Sequence, residues 1–139
     1  MRQRFRDITL HTRGAGLTPF TGEAAVFASA SGMSNGLLTC FLRHTSASLL
    51  IQENADPDVL KDLETFMRRL VSRDPGNYRH TTEGADDMPG HIRAALTQTS
   101  LSIPLRDGKL VLGTWQDLYL WEHRDAPHAR EITMHLIGE

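Results

Sequence analysis

Two strand-like stretches, 36–54 (GLLTCFLRHTSASLLIQEN) and 100–123 (SLSIPLRDGKLVLGTWQDLYLWEH), flank a block whose apolar residues recur at helical spacing. That order constrains the fold more than any motif. There is no regular alternation of strand and helix, which argues for mostly antiparallel pairing. An α+β domain follows, its mostly antiparallel β sheets packed as a sandwich or partly open barrel with two or three helices. A (βα)8 barrel is excluded by the order and by the length, because 139 residues make one domain, 1–139, of ordinary size.

The details fit this frame. RFRDITLHT reads as a first strand, broken by RGAGLTPFTG, and Thr21 to Met33 reads as a modest helix with Thr21 as cap candidate. Asp56-Pro57 opens a stronger helix with Leu60, Leu63, Met67, Leu70 and Val71 on one face, ending near Ser72. From about Met88 a shorter helix turns Ile92, Ala95, Leu96 and Thr99 inward. Arg106-Asp107-Gly108 reads as a hairpin turn, and the chain closes on the strand REITMHLIG.

Side-chain parity in the strands selects candidate functional residues. In an extended chain Leu38, Cys40 and Leu42 share a face, and His44 is next on it. Gln116 and Glu122 share the parity of Leu110, Leu112, Leu118 and Leu120, and Arg130 that of Ile132, Met134 and Leu136. A polar group at the end of a buried row costs several kcal/mol unless it finds a partner, so His44, Gln116, Glu122 and Arg130 are expected to converge on one another, on water or on a ligand.

The segment HTTEGADDMPGH, 80–91, adds ligand chemistry with little apolar material. His44, His80 and His91 supply the three imidazoles that a catalytic zinc site uses while keeping a position for water, although their spacing matches no compact metal motif. Asp86 and Asp87 suit three roles: ligands for a hard cation such as magnesium, carboxylates orienting a metal-bound imidazole, or, for Asp87, capping of the following helix. Ser46 shares the side of His44, and with no GxSxG elbow around it the hydroxyls of HTSAS suit a phosphorylated or hydroxylated ligand better than a nucleophile. Asn54 precedes a helix N-terminus that can receive an anion. In GTWQ, Gly113 to Gln116 interrupt an apolar strand, and Trp115 is core or an interface anchor. Arg68, Arg69, Arg73, Arg79 and Arg93 face solvent, with Arg93 near enough to His91 to help bind an anion. His123, His128 and His135 carry weaker signals.

Several partners are excluded as expectations. A formal net charge of −2 points to neither nucleic acid nor a membrane surface, and no apolar run reaches the roughly 18 residues of a span. The lone cysteine, Cys40, in an apolar strand and the absence of a signal-peptide-like apolar core lead to the expectation of a soluble, cytoplasmic protein.

Together HTSASLLIQENADPDVLKDLE, HTTEGADDMPGH and LSIPLRDGKLVLGTWQDLYLWE resemble the YjbQ family, small proteins often labelled secondary thiamine-phosphate synthases. The resemblance runs from about Gly36 to the C-terminus. It implies a compact α+β fold assembled as a homotrimer, and a site formed by His44, Thr45, Ser46, Asn54, His80, Asp86, Asp87, His91, Gln116 and Glu122. It also implies joining of a pyrimidine diphosphate to a thiazole phosphate with release of pyrophosphate. The combined expectation is an enzyme with a divalent metal, zinc or magnesium, held by His44, His80 and His91. Asp87 and His80 are the catalytic groups, and Thr45, Ser46, Asn54, Gln116, Glu122 and Arg130 contact a phosphorylated small-molecule substrate. A non-catalytic binding protein for a metal or a phosphorylated metabolite is the alternative. Met88-Pro89-Gly90 and His128 depart from the family pattern, where small residues and a basic residue are usual.

Overall fold

The computed structural model describes residues 1–139, Met1 to Glu139. Eight strands and three helices follow one another as β1 (Arg2–His11), β2 (Gly16–Pro19), α1 (Thr21–Ala30), β3 (Gly36–Leu42), β4 (Ala47–Glu53), α2 (Pro57–Leu70), α3 (Asp87–Leu96), β5 (Ser100–Arg106), β6 (Lys109–Leu110), β7 (Gln116–Glu122) and β8 (Ala129–Gly138). All strand pairs are antiparallel. They form a five-stranded sheet ordered β1-β8-β3-β5-β6 and a three-stranded sheet ordered β2-β7-β4.

The two sheets curl around one core as a half-barrel. Leu38, Cys40 and Leu42 of β3 meet Ile132, Met134 and Leu136 of β8, Leu101, Ile103 and Leu105 of β5, and Leu118 and Leu120 of β7, and α1 adds Ala24, Phe27 and Ala28. The parity rows of β3 and β8 are thus core rows. The turn between β5 and β6 is the expected one: Asp107 and Gly108 take φ of 51° and 75°, the left-handed pair that a two-residue hairpin needs. Asp56 caps α2 by accepting the Asp58 amide at 2.9 Å, and Pro57 occupies the first turn.

Four expectations are corrected. Residues 16–19 are a short strand, held by pairing with β7 that no local pattern signals. Thr21 does not cap α1; its hydroxyl donates to Asp117 and accepts the Leu118 amide, both at 2.9 Å, pinning the helix to β7. The stretch 109–123 is broken at 111–115 between β6 and β7, which lie in different sheets. On α3 the inward residues are Asp87, Gly90, Arg93 and Ala94, whereas Ala95, Leu96 and Thr99 are exposed.

Layering explains where polar groups collect. The chain passes between the sheets three times at one end of the half-barrel: after β1, between β3 and β4 at His44 to Ser46, and between β7 and β8 at His123 to His128. Backbone leaving a ladder at a sheet corner needs other hydrogen-bond partners. Polar row ends supply them.

Leu120 is completely buried in β7. Leu120→Ala is expected to lower unfolding stability by about 2–5 kcal/mol in denaturant titration, while Val26→Ala on the exposed face of α1 shifts it by less than about 0.5 kcal/mol.

Candidate functional site

The corner between the sheets is tied by a buried ion pair. Arg130 donates through Nε to Glu122 Oε1 at 2.9 Å and through Nη2 to Oε2. Glu122 Oε1 also accepts the Thr12 hydroxyl at 2.7 Å, and Oε2 the Arg124 amide at 3.2 Å. Arg130 Nη2 reaches the Ser46 hydroxyl at 3.0 Å and its carbonyl at 3.3 Å. Burial would raise the Glu122 pKa, but the hydrogen bonds from Arg130 and Thr12 prevail and hold it below the usual carboxylate range.

Three of the four row-end groups therefore converge: Glu122, Arg130 and His44. The first two pair with each other beneath the surface and position the corner. Ser46 is buried with them. His44 lies beyond the end of β3, half-buried, where its Nε2 accepts the Glu131 amide at 2.8 Å and its Nδ1 stands 3.4 Å from Arg130 Nη1. Burial and then Arg130 lower its pKa, favouring the neutral imidazole.

Beside this corner lies a second polar cluster at the start of α3. Asp87 Oδ2 is 2.6 Å from His80 Nε2 and 3.1 Å from His91 Nε2, and Oδ1 accepts Arg124 Nη1 at 2.7 Å. One ligand atom from each of His80, Asp87 and His91 lies within 4.8 Å of the others. His44 is outside this set, so the three imidazoles do not converge, and the cluster holds two imidazoles and one carboxylate. The reason is that the His44 Nε2 lone pair is already used by the backbone of β8.

Neither Asp86 nor Asp87 caps α3. Asp86 Oδ2 accepts Arg124 Nε and the Asp125 amide, each at 2.9 Å, and although burial opposes it, the Arg124 hydrogen bond brings its pKa down to about 2. Asp87 is likewise held below its ordinary range: burial raises it, and hydrogen bonding from His80 and the charges of His91 and Arg124 outweigh that. Arg124 is the residue that sequence reading missed. It sits in a crossover turn where no periodicity applies, and its only signal was a cation two residues after a row-ending carboxylate.

The chemistry of this cluster can be read from its proton count. His91 Nδ1 lies 2.9 Å from the Thr45 carbonyl, which can only accept, so Nδ1 carries a proton. A neutral His91 then points an Nε2 lone pair at the Asp87 oxygen, itself an acceptor. Two acceptors 3.1 Å apart require a proton or a cation between them. Two histidines, one carboxylate and a second carboxylate oxygen fixed by Arg124 match donor sets used for zinc and ferrous iron.

Next to His91 opens a cleft of about 250 Å³ lined by His44, Thr45, His91, Ala94, Ala95 and Thr99. The other expected ligand contacts are elsewhere. Asn54 and Gln116 lie at the opposite end of β7, where Asn54 Nδ2 donates to the Thr114 carbonyl at 3.1 Å and Gln116 Oε1 accepts the Gly113 amide at 2.8 Å. Six residue steps along β7 separate Gln116 from Glu122, roughly 20 Å at about 3.3 Å per step.

His123 is a buried group that sequence reading underrated. Its Nε2 is 2.9 Å from the buried Ser48 hydroxyl, and burial followed by the nearby Arg93 charge lowers its pKa to about 4. Arg93 is itself 2% exposed, not solvent-facing as expected, and its Nε and Nη2 have no protein partner. Between pH about 6.5 and about 4 the unfolded chain protonates His123 while the native protein does not, so the contribution to stability falls as pH drops through that window. His123→Gln is expected to flatten the stability profile there by on the order of 3 kcal/mol, measured by urea titration at pH 7 and pH 4.5. Arg124→Met, which removes the guanidinium shared by Asp86 and Asp87, is expected to destabilise by about 3 kcal/mol at pH 7 in urea titration.

A family model described as UPF0047 protein YjbQ-like matches residues 6–139. The chain is 54% identical to a UPF0047 protein of Synechocystis sp. over 99% of its own length and 94% of that protein's. It is 43% identical to UPF0047 protein YjbQ of Escherichia coli O157:H7, over 96% of this chain and 97% of that one. Among solved structures, a YjbQ/UPF0047 family protein of Clostridium acetobutylicum superposes with a TM-score of 0.87 at 34% identity, covering 95% of this chain and 99% of that one. A hypothetical protein of Aeropyrum pernix K1 gives 0.86 at 30% identity, covering 98% and 99%. With the fold, the HTS corner and the acidic histidine loop all within the matched span, the chain belongs to the YjbQ/UPF0047 family.

Proposed function

We propose that the protein binds a divalent cation through His80, Asp87 and His91, zinc rather than magnesium because two of the three donors are imidazoles, and acts on a phosphorylated small molecule in the adjoining cleft. The observation that carries this reading is the convergence of His91 Nε2, at 3.1 Å, and His80 Nε2, at 2.6 Å, on one Asp87 oxygen.

The reaction proposed from the family resemblance is formation of thiamine phosphate. A thiazole ring nitrogen bonds to the pyrimidine methylene carbon, the carbon–oxygen bond to the diphosphate breaks, and pyrophosphate leaves with the electron pair. A bound cation would neutralise charge on the departing diphosphate. This chain's residues have narrower tasks. Thr45 and His44 line the cleft and are placed to bind polar substrate groups, Arg124 holds Asp87 in register, and the Glu122–Arg130 pair keeps the His44 corner rigid.

A homotrimer is part of the proposal. The outer face of the five-stranded sheet exposes Phe5, Leu37, Phe41 and Ile137, an apolar patch suited to burial against other copies. A non-catalytic binding protein is the second reading, favoured by one observation: both Asp87 oxygens are engaged, which leaves this cluster without a free general base.

Elemental analysis of purified protein tests the metal assignment. Bound metal is expected to fall at least tenfold in His80→Ala and in His91→Ala and to stay in His44→Ala; equal metal content in all of them sinks the assignment. A melting-temperature rise with pyrimidine diphosphate or thiazole phosphate, without pyrophosphate release, leaves the binding reading in place of the enzymatic one.

A further inference from the structure

The proton count at His44 gives one corner of the cleft two donors facing each other. His44 Nε2 accepts the Glu131 amide at 2.8 Å, so that nitrogen carries a lone pair. Burial and the charge of Arg130 favour the neutral ring, and a neutral ring with an unprotonated Nε2 carries its proton on Nδ1. Adjacent residues of β8 hold the ring from both sides, the Glu131 amide at Nε2 and the Arg130 side chain at Nδ1.

Arg130 is the wrong partner for that proton. Its Nη1 stands 3.4 Å from His44 Nδ1, and a guanidinium nitrogen only donates. The other guanidinium nitrogens are answered: Nε and Nη2 form the edge that grips Glu122, and Nη2 also reaches Ser46. Nη1 finds no acceptor oxygen in the chain, although Arg130 is only 4% exposed. Buried donors are nearly always matched, and a donor on a charged group is the costliest to leave unmatched. An oxygen about 2.9 Å from each nitrogen accepts from both, at the apex of a triangle whose base is the Nδ1 to Nη1 separation. His44 also lines the cleft with Thr45 and His91, which gives a ligand there a path to this apex.

We propose that His44 Nδ1 and Arg130 Nη1 form a two-donor subsite for a phosphoryl oxygen of a ligand in the cleft. A charged oxygen suits the pair better than a neutral carbonyl, because hydrogen bonds from a guanidinium to an anion are shorter and stronger. A metal ion does not suit it, since neither nitrogen offers a lone pair. The subsite rests on the reading of the cleft as the place where a ligand binds, and it is independent of the cation at His80, Asp87 and His91. Arg130 then has two tasks: one edge of its guanidinium locks the corner through Glu122, and the lock holds the remaining nitrogen in place for the ligand, so little ordering is left for binding to impose.

Nitrogen-15 NMR of histidine-labelled protein tests this with inorganic phosphate as the probe, after treatment with EDTA so that no metal holds the anion. The His44 signals, assigned by their loss in His44→Asn, are expected to show a ring protonated at Nδ1. Phosphate is expected to shift the Nδ1 signal saturably, and chloride at equal ionic strength to leave it in place. Phosphate affinity is expected to fall about tenfold or more in His44→Leu, and by less in His44→Asn, whose side-chain amide can donate in place of Nδ1. A wild-type His44 ring protonated at Nε2, a phosphate response equal to that of chloride, or full phosphate affinity in a folded His44→Leu each overturns the proposal. The first two are read on the wild-type protein and so hold even if His44→Leu does not fold. Metal content of untreated protein separates the two ideas: a phosphate response in protein that never carries metal removes the metal reading alone, and bound metal without a phosphate response removes this one alone.

Discussion

The Glu122–Arg130 ion pair is the interaction on which the rest of the structure depends. Burying two charges is costly unless every lone pair and proton finds a partner, and here the partners come from each of the three crossings between the sheets at this end. Thr12 is supplied by the first, Ser46 by the second and the Arg124 amide by the third. One end of the half-barrel is thereby locked by side-chain hydrogen bonds, while the side chains of the core beside it are packed by apolar burial.

From that lock the candidate site is built outward in two steps. The carbonyl of Thr45, one residue from Ser46, fixes the His91 ring, and the Arg124 side chain, two residues from Glu122, fixes Asp86 and Asp87. These contacts also set the phase of α3. Its apolar residues alone favour turning Ile92, Ala95 and Leu96 inward, yet two aspartates bound to one guanidinium rotate the helix onto its polar edge. Several charge-assisted hydrogen bonds outweigh burial of a few small side chains. The helix thus gives up packing to deliver His91, and leaves Leu96 in solvent beside the cleft.

Two ends of β7 divide the molecule's work. Polar groups at the Glu122 end are buried and mutually satisfied, which suits donors that must hold one geometry. At the Gln116 end the backbone is equally well ordered, but the side chain it displays is an exposed indole.

Much of the fold was legible from the chain alone. Alternation in β3 and β8 identified the core faces, Asp107-Gly108 marked a hairpin, and Asp56-Pro57 started α2, because these features follow from local backbone geometry and side-chain period. Parity also singled out Glu122, Arg130 and His44, since a polar group ending a buried row must be answered. What no local rule contains is who answers. Glu122 and Arg130 turned out to satisfy each other, His44 was claimed by the β8 backbone, and Gln116 by its own turn. The sequence therefore determined the elements, their inward faces and the stock of ligand-type residues. Only the tertiary structure decided that His80, Asp87 and His91 form the cluster, because their convergence depends on Arg124, a residue in a crossover turn where periodicity carries no information.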